Sequence, residues 1–198
     1  MKMDHSLPLE YSTEENKLKI LGFWIFLGAE IMLFATLFAT YFTLVGRTAG
    51  GPTGAGIFEI TPVLIETLLL LTSSFTVGLG IHAMRLGRKK AMIGFFITTL
   101  LLGLAFIGVE IYEFVHYVHV GAGLQTSAFT SILLTTLGTH GIHVTIGLFW
   151  GLFIVLQVWK RGLTPQTANK SFIFSLYWHF LDIIWIFIFS FIYLKGMM

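Results

Sequence analysis

Residues 127–158 read SAFTSILLTTLGTHGIHVTIGLFWGLFIVLQV and contain no Asp, Glu, Lys or Arg. The charge-free stretch extends further, from Phe114 to Trp159. A soluble surface does not tolerate such a run, whereas about 20 apolar residues carry a helix across roughly 30 Å of hydrocarbon. The stretch does not alternate apolar and polar positions, as a strand of a membrane barrel would. A helix satisfies its backbone hydrogen bonds within itself, so a spanning helix is the expected structure. Ser127 stands where a helix N-cap is needed.

Working outward, four more apolar segments reach spanning length: Leu18–Val45, Thr61–Met84, Ala91–Val115 and Ser171–Leu194, with Ser127–Val158 the fourth of five in chain order. Runs such as LIETLLLL (64–71) and IIWIFIFSFIYL (183–194) also fail to alternate. The 198 residues are 56% hydrophobic and 11% charged, against about 25% charged in a soluble domain. The expected fold is all-α: a polytopic membrane protein, a bundle of five transmembrane helices. A polar arm (1–17) should precede a single transmembrane domain (18–198). The arm has no short apolar core of a secretory signal, so no cleavage is expected. There is no cysteine, which removes disulfides and thiolate metal sites. No nucleic-acid partner is expected.

The connections carry the expected breakers. GRTAGGPTGAG (46–56) has five glycines and a proline, RLGRKK (85–90) is a tight basic turn, and Pro165 in KRGLTPQTANK (160–170) should stop the fourth helix. Five spans place Lys2, Lys17, Lys19, Arg85, Arg88, Lys89, Lys90, Lys160, Arg161 and Lys170 on one side, and leave Arg47 and Lys195 on the other. The positive-inside rule then predicts a cytoplasmic N-terminus and an external C-terminus.

An ionisable side chain inside the bilayer costs about 2.5–3.5 kcal/mol on insertion scales, so each needs a partner or a purpose. Glu30 falls roughly 15 Å into the first segment, near the midplane. Glu66 lies near the outer start of the second, where a helix N-terminus favours negative charge. Glu110, Glu113 and His116 share one face of the third. Glu113-Phe-Val-His116 has the Glu-x-x-His spacing of di-iron helices, but such a bundle needs two copies and two further glutamates. His140 and His143 lie one turn apart in the fourth segment, and His179 and Asp182 in the fifth. One reading is bis-histidine haem ligation between helices. The other is an interhelical polar network, in which both rings of the fourth segment point inward and find a carboxylate, hydroxyl or carbonyl. Glu30 and Glu110 are the acids at matching depth, and His179 is the nearest partner of Asp182. Gly138, Gly141 and Gly147 on the fourth segment, and Gly78 and Gly80 on the second, suit close packing.

Five motifs, LGTHGIHVTIG (137–147), SLYWHFLDIIWIFIF (175–189), GFWIFLGAEIMLF (22–34), EIYEFVH (110–116) and RTAGGPTGAGIFE (47–59), together resemble subunit III of the haem–copper respiratory oxidases. The resemblance covers residues 18–196 and is closest to the quinol-oxidase branch, whose third subunit has five helices rather than seven. It implies a chain without haem or copper of its own. Those centres would belong to subunit I, which reduces oxygen to water with electrons from quinol and pumps protons. The implied partners are subunit I as the main contact, subunits II and IV, and membrane phospholipids, in a bacterial cell membrane. The implied role is to stabilise subunit I, sustain proton uptake and bind lipid. For Glu30, His140, His143, His179 and Asp182 it implies packing, polar-network, lipid or proton-related roles and no catalytic or metal-binding role; Glu66, Glu110, Glu113 and His116 are expected to join them as an intramembrane polar network or lipid- or proton-related group. The alternatives are subunit III of a cytochrome c oxidase, or an autonomous membrane haem or transport protein. The transport reading is weakened by the lack of internal repeats or matched helix interruptions.

Overall fold

The computed structural model describes residues 7–197. Among them there is no strand, and five helices are long and apolar enough to cross a membrane. A 3₁₀ turn at Leu9–Tyr11 leads to α1 (Glu14–Leu44). The short α2 (Gly54–Ile57) interrupts the glycine-rich connection, and α3 (Ile60–Arg85), α4 (Lys89–His119) and α5 (Ala128–Arg161) follow. The last span begins as α6 (Pro165–Ile188), continues as a π-helix (Phe189–Leu194) and ends in α7 (Lys195–Met197).

The helix ends explain where the sequence reading was short. Thr13 caps α1, its side chain accepting from the Asn16 N–H, so the helix takes in Glu14–Lys17, the last residues of the expected polar arm (1–17). Ser127 and Thr130 form a capping box at the start of α5, as the serine suggested. Thr164 and Thr167 form a second at the start of α6, which therefore begins six residues before Ser171. Pro165 does not stop α5. It occupies the first turn of α6, where its missing N–H costs nothing, while α5 ends ahead of Gly162. Two helices close with paired bonds over a left-handed glycine. Gly87 (φ 71°) carries Arg88 N–H to the Ala83 carbonyl, and Gly121 (φ 81°) carries Ala122 N–H to the Tyr117 carbonyl.

The spans run up and down, so their polar ends collect at two levels. Glu10 meets Arg85, Asn16 meets Pro165 and Lys89 meets the Trp159 carbonyl, which defines a basic end. At the far end Phe129 N–H meets the Arg47 carbonyl, and Phe58 lies on Tyr193. Lys2, assigned to the basic side, lies outside the described residues.

Within the bundle α3 packs along α4 and α6, α5 along α4 and α6, and α1 mainly against α5 and α6. About half of the apolar stretch of the last span is buried inside the bundle, against 17% for α1, so the last span is the centre and α1 the flank. The wedge that fixes the centre is Trp178. A Cβ on Gly103 would come within 2.7 Å of its ring and one on Gly147 within 3.1 Å, while its Nε1–H donates to Ser73 Oγ at 2.9 Å. Gly80 likewise admits Phe96, and Gly141 admits the Glu110 carboxyl. Gly138 meets only ordinary contacts and Gly78 meets nothing, so these two do not serve the close packing expected of them.

Candidate functional site

The midpoint of the bundle is organised by the two histidines of α5. His143 Nδ1 lies 2.7 Å from the Thr139 carbonyl, an acceptor only, so Nδ1 carries the hydrogen. Its Nε2 lies 3.1 Å from Glu30 Oε2 on α1. One further proton is shared between these two: either Glu30 donates it to a neutral ring, or an imidazolium faces a carboxylate. In both forms the pair is neutral overall, which is the condition for keeping it at bilayer depth. Tyr177 of α6 donates to the His143 carbonyl at 2.9 Å, tying three helices at this point.

His140 behaves differently. It is completely buried, and neither ring nitrogen has a hydrogen-bond partner. It sits among aromatic rings, with centroids 5.8 Å from Phe106, 5.5 Å from Trp185 and 6.4 Å from Phe34. The hydrogen bond expected of this ring is therefore absent, and Glu110 is not its partner. The i,i+3 spacing puts both histidines on the inward side of α5, but three surrounding aromatics occupy the space where a polar partner for His140 would stand.

Toward the far end lie three buried carboxylates. Glu113 Oε2 accepts from Tyr193 at 2.6 Å and from Tyr117 at 3.2 Å. Glu66 of α3 is completely buried with both oxygens unpartnered, and Glu110 Oε1 is also unpartnered. Glu66 is the seventh residue of α3, beyond the first turn in which a helix dipole acts, so the expected N-terminal stabilisation does not apply. His116, at the rim, faces Glu59 at 3.9 Å rather than Glu113. No three His, Cys, Asp or Glu side chains among the described residues converge so as to hold a metal ion.

Two further polar sites complete the molecule. On the α3–α6 seam, Ser74 Oγ lies 2.6 Å from His179 Nδ1 and beside Asp182, in a groove that opens outward between the helices. His179 and Asp182 make no hydrogen bond to each other, since Ser74 of the neighbouring helix serves as the polar partner. At the basic end, the completely buried Glu10 takes both Arg85 Nε and Nη2 on one oxygen, at 2.9 and 2.8 Å. Asn169 donates to the carbonyls of Glu10 and Asn16, and Asn16 to that of Pro165, so the segment before α1 is strapped across α6.

This arrangement of five spans with intramembrane carboxylates and histidines can be set beside known proteins. The family model described as cytochrome c oxidase subunit III matches residues 11–197. The chain belongs to the cytochrome c oxidase subunit III family. It is 60% identical over 190 residues to "Quinol oxidase subunit 3" of Bacillus subtilis (strain 168), covering 96% of this chain and 93% of that one. It is 49% identical to "Cytochrome c oxidase subunit 3" of Bacillus sp. (strain PS3), with 96% and 92% covered. It is 48% identical to "Probable quinol oxidase subunit 3" of Staphylococcus saprophyticus, with 96% and 94% covered. In this subunit III chain, Tyr117, Tyr177, Tyr193, Ser74, Glu10, Asn16 and Asn169 have roles that the sequence does not signal, and Arg85, expected only as part of the basic side, pairs with Glu10. Tyr193 gave no signal because the π-helix changes its register. Glu10 gave none because it stands in a polar arm, where a buried acid is not expected.

Proposed function

We propose that this chain is the non-redox third subunit of a proton-pumping terminal quinol oxidase in a bacterial cell membrane. The observation that carries this reading is the higher identity to chains named quinol oxidase subunit 3 than to one named cytochrome c oxidase subunit 3. In this reading the complex oxidises quinol and reduces oxygen to water, and the chain is a subunit of an oxidoreductase without being its catalytic centre. Haems and copper are held by subunit I, with subunits II and IV completing the assembly and phospholipids filling the outward grooves. The basic end is cytoplasmic, by the positive-inside rule. Residues 18–198 act as one transmembrane unit.

Within that unit Glu30, His143, His179 and Asp182 hold helices together through polar contacts that lipid cannot supply. His140 is a packed core residue. Glu66, Glu110, Glu113 and His116 form the far-end acidic region. The test is purification in mild detergent through a tag on this chain. The expected result is co-purification of larger oxidase subunits with a haem spectrum and quinol-oxidising activity. A complex that oxidises cytochrome c but not quinol overturns the quinol assignment. Labelling from outside at a cysteine placed at residue 88 overturns the orientation.

A further inference from the structure

Between α3 and α6 a groove opens to the outside of the bundle, lined by Leu71, Ser74, Phe75, Gly78, His179 and Asp182. Its depth along the spans can be counted. Asp182 stands roughly midway between Pro165 and Met197, the ends of the last span, with about 20–25 Å of helix on either side. Ser74 is likewise near the middle of α3 (Ile60–Arg85). Both lie well inside a hydrocarbon core about 30 Å thick. Phospholipid headgroups do not reach that depth, and acyl chains offer neither donor nor acceptor.

The polar groups in this groove are not all satisfied from within. Ser74 Oγ lies 2.6 Å from His179 Nδ1. Asp182 is only 9% exposed, and its Oδ1 has no hydrogen-bond partner among the described residues. An ionisable side chain inside a bilayer is kept where a partner meets it. Glu30 has such a partner in His143 of this same chain, and Asp182 Oδ1 does not.

The relief of the groove suits a helix. Ser74 and Gly78 stand one turn apart on α3, the small-residue spacing that lets a second helix come close. A Cβ added to Gly78 would meet nothing within 4 Å, so no side chain of this chain fills the notch. Leu71 and Phe75, 43% and 66% exposed, form an apolar rim beside it. The outward groove between α4 and α5 is the contrast. Leu101, Leu104, Phe149 and Leu152 line it, and its one hydroxyl, on Thr145, already donates to the Gly141 carbonyl. Acyl chains satisfy that groove completely.

We propose that the α3–α6 groove is the docking face for a transmembrane helix of another oxidase subunit, which packs on Ser74 and Gly78 and brings a hydrogen-bond donor to Asp182 at mid-membrane. The lipid reading of the outward grooves then holds for α4–α5 and not for α3–α6. The inference rests on the oxidase reading, which supplies the other subunits.

The experiment places a photoactivated crosslinker on a single cysteine of the tagged complex in its membrane. The chain has no cysteine of its own, so each label is unique within it. Leu71→Cys and Phe75→Cys probe this groove, and Leu101→Cys and Phe149→Cys the α4–α5 groove. Positions 71 and 75 should give adducts with another oxidase subunit, and positions 101 and 149 adducts with lipid. Gly78→Leu, added to Phe75→Cys, fills the notch without touching this chain's own packing. It should lower the crosslink yield several-fold while the amount of this chain in the membrane stays at the wild-type level. Asp182→Leu should lower the yield likewise, and Asp182→Asn, which keeps an acceptor, should retain most of it. Adducts at 71 and 75 with lipid alone or with a second copy of this chain, or an unchanged yield in Gly78→Leu, overturn the proposal and leave the oxidase reading standing. A tagged preparation with no other oxidase subunit overturns both.

Discussion

Among the described residues two glutamates have no exposed surface, Glu10 at the basic end and Glu66 toward the far end, and the fold treats them in opposite ways. Glu10 is met by a guanidinium through two bonds, and its segment is held by two asparagines. Glu66 meets no donor at all. The difference follows from where the chain puts its positive charge. Arginines and lysines gather at one end of the helices, so an acid buried there can be an ion. Glu66, buried on α3, has no such cation: the charged groups that act on it are Glu113 and Glu110 of α4, and neither of its oxygens has a donor. The lesson is that burial alone does not fix what a carboxyl does in a membrane bundle, because the polarity of its nearest neighbours does.

The largest effect should come from Arg85→Gln. It leaves the Glu10 charge buried and unpaired, at a cost of about 2–4 kcal/mol, scaled down from a fully buried pair because Arg85 is half exposed. Thermal denaturation of the purified complex measures it. Glu10→Gln combined with Arg85→Gln should recover much of the loss, and a double variant as weak as Arg85→Gln alone would break the contrast. Next comes Tyr193→Phe, which removes the shorter of two donors to Glu113 and should cost about 1–2 kcal/mol in the same assay. A value near zero would mean that the Tyr193–Glu113 bond does not hold the end of the last span in place.

The histidines sharpen the same contrast within one helix. His143→Leu should cost about 1 kcal/mol, typical of a hydrogen bond between membrane helices, because Glu30 and its proton lose their partner. His140→Leu should cost less, since no polar contact is lost. Equal losses at the two positions would show that packing rather than pairing sets the stability here. Glu66→Gln should be the smallest effect, within about 0.5 kcal/mol of wild type, because an amide of the same shape changes neither charge nor partner if the acid already carries a proton.

The parts of this picture that were legible in the sequence share a cause. The five spans could be read because lipid demands long runs without charge. The Glu30–His143 contact could be anticipated because depth along a helix is countable. What was hidden depends on the lateral arrangement of helices. Asp182 stands one turn from His179, yet Ser74 of α3 is the group between them in space. His140 is one turn from His143, yet Phe34, Phe106 and Trp185 enclose it. Tyr193 reaches Glu113 because a π-helix alters the register after Ile188, which no apolar periodicity reveals. Glu10 and the capping boxes lie in polar segments that read as arm and loop, and only the packing of α6 shows that they are structured.

On the reading proposed above, this subunit III chain works inside a quinol oxidase without a cofactor of its own. The most direct measurement is an optical spectrum and quinol-oxidase assay on material isolated through a tag on this chain, followed by a spectrum of the chain after it is stripped from its partners. The account predicts a haem-containing, quinol-oxidising complex and a colourless isolated chain. A monodisperse chain that purifies alone and carries its own haem absorption would contradict it.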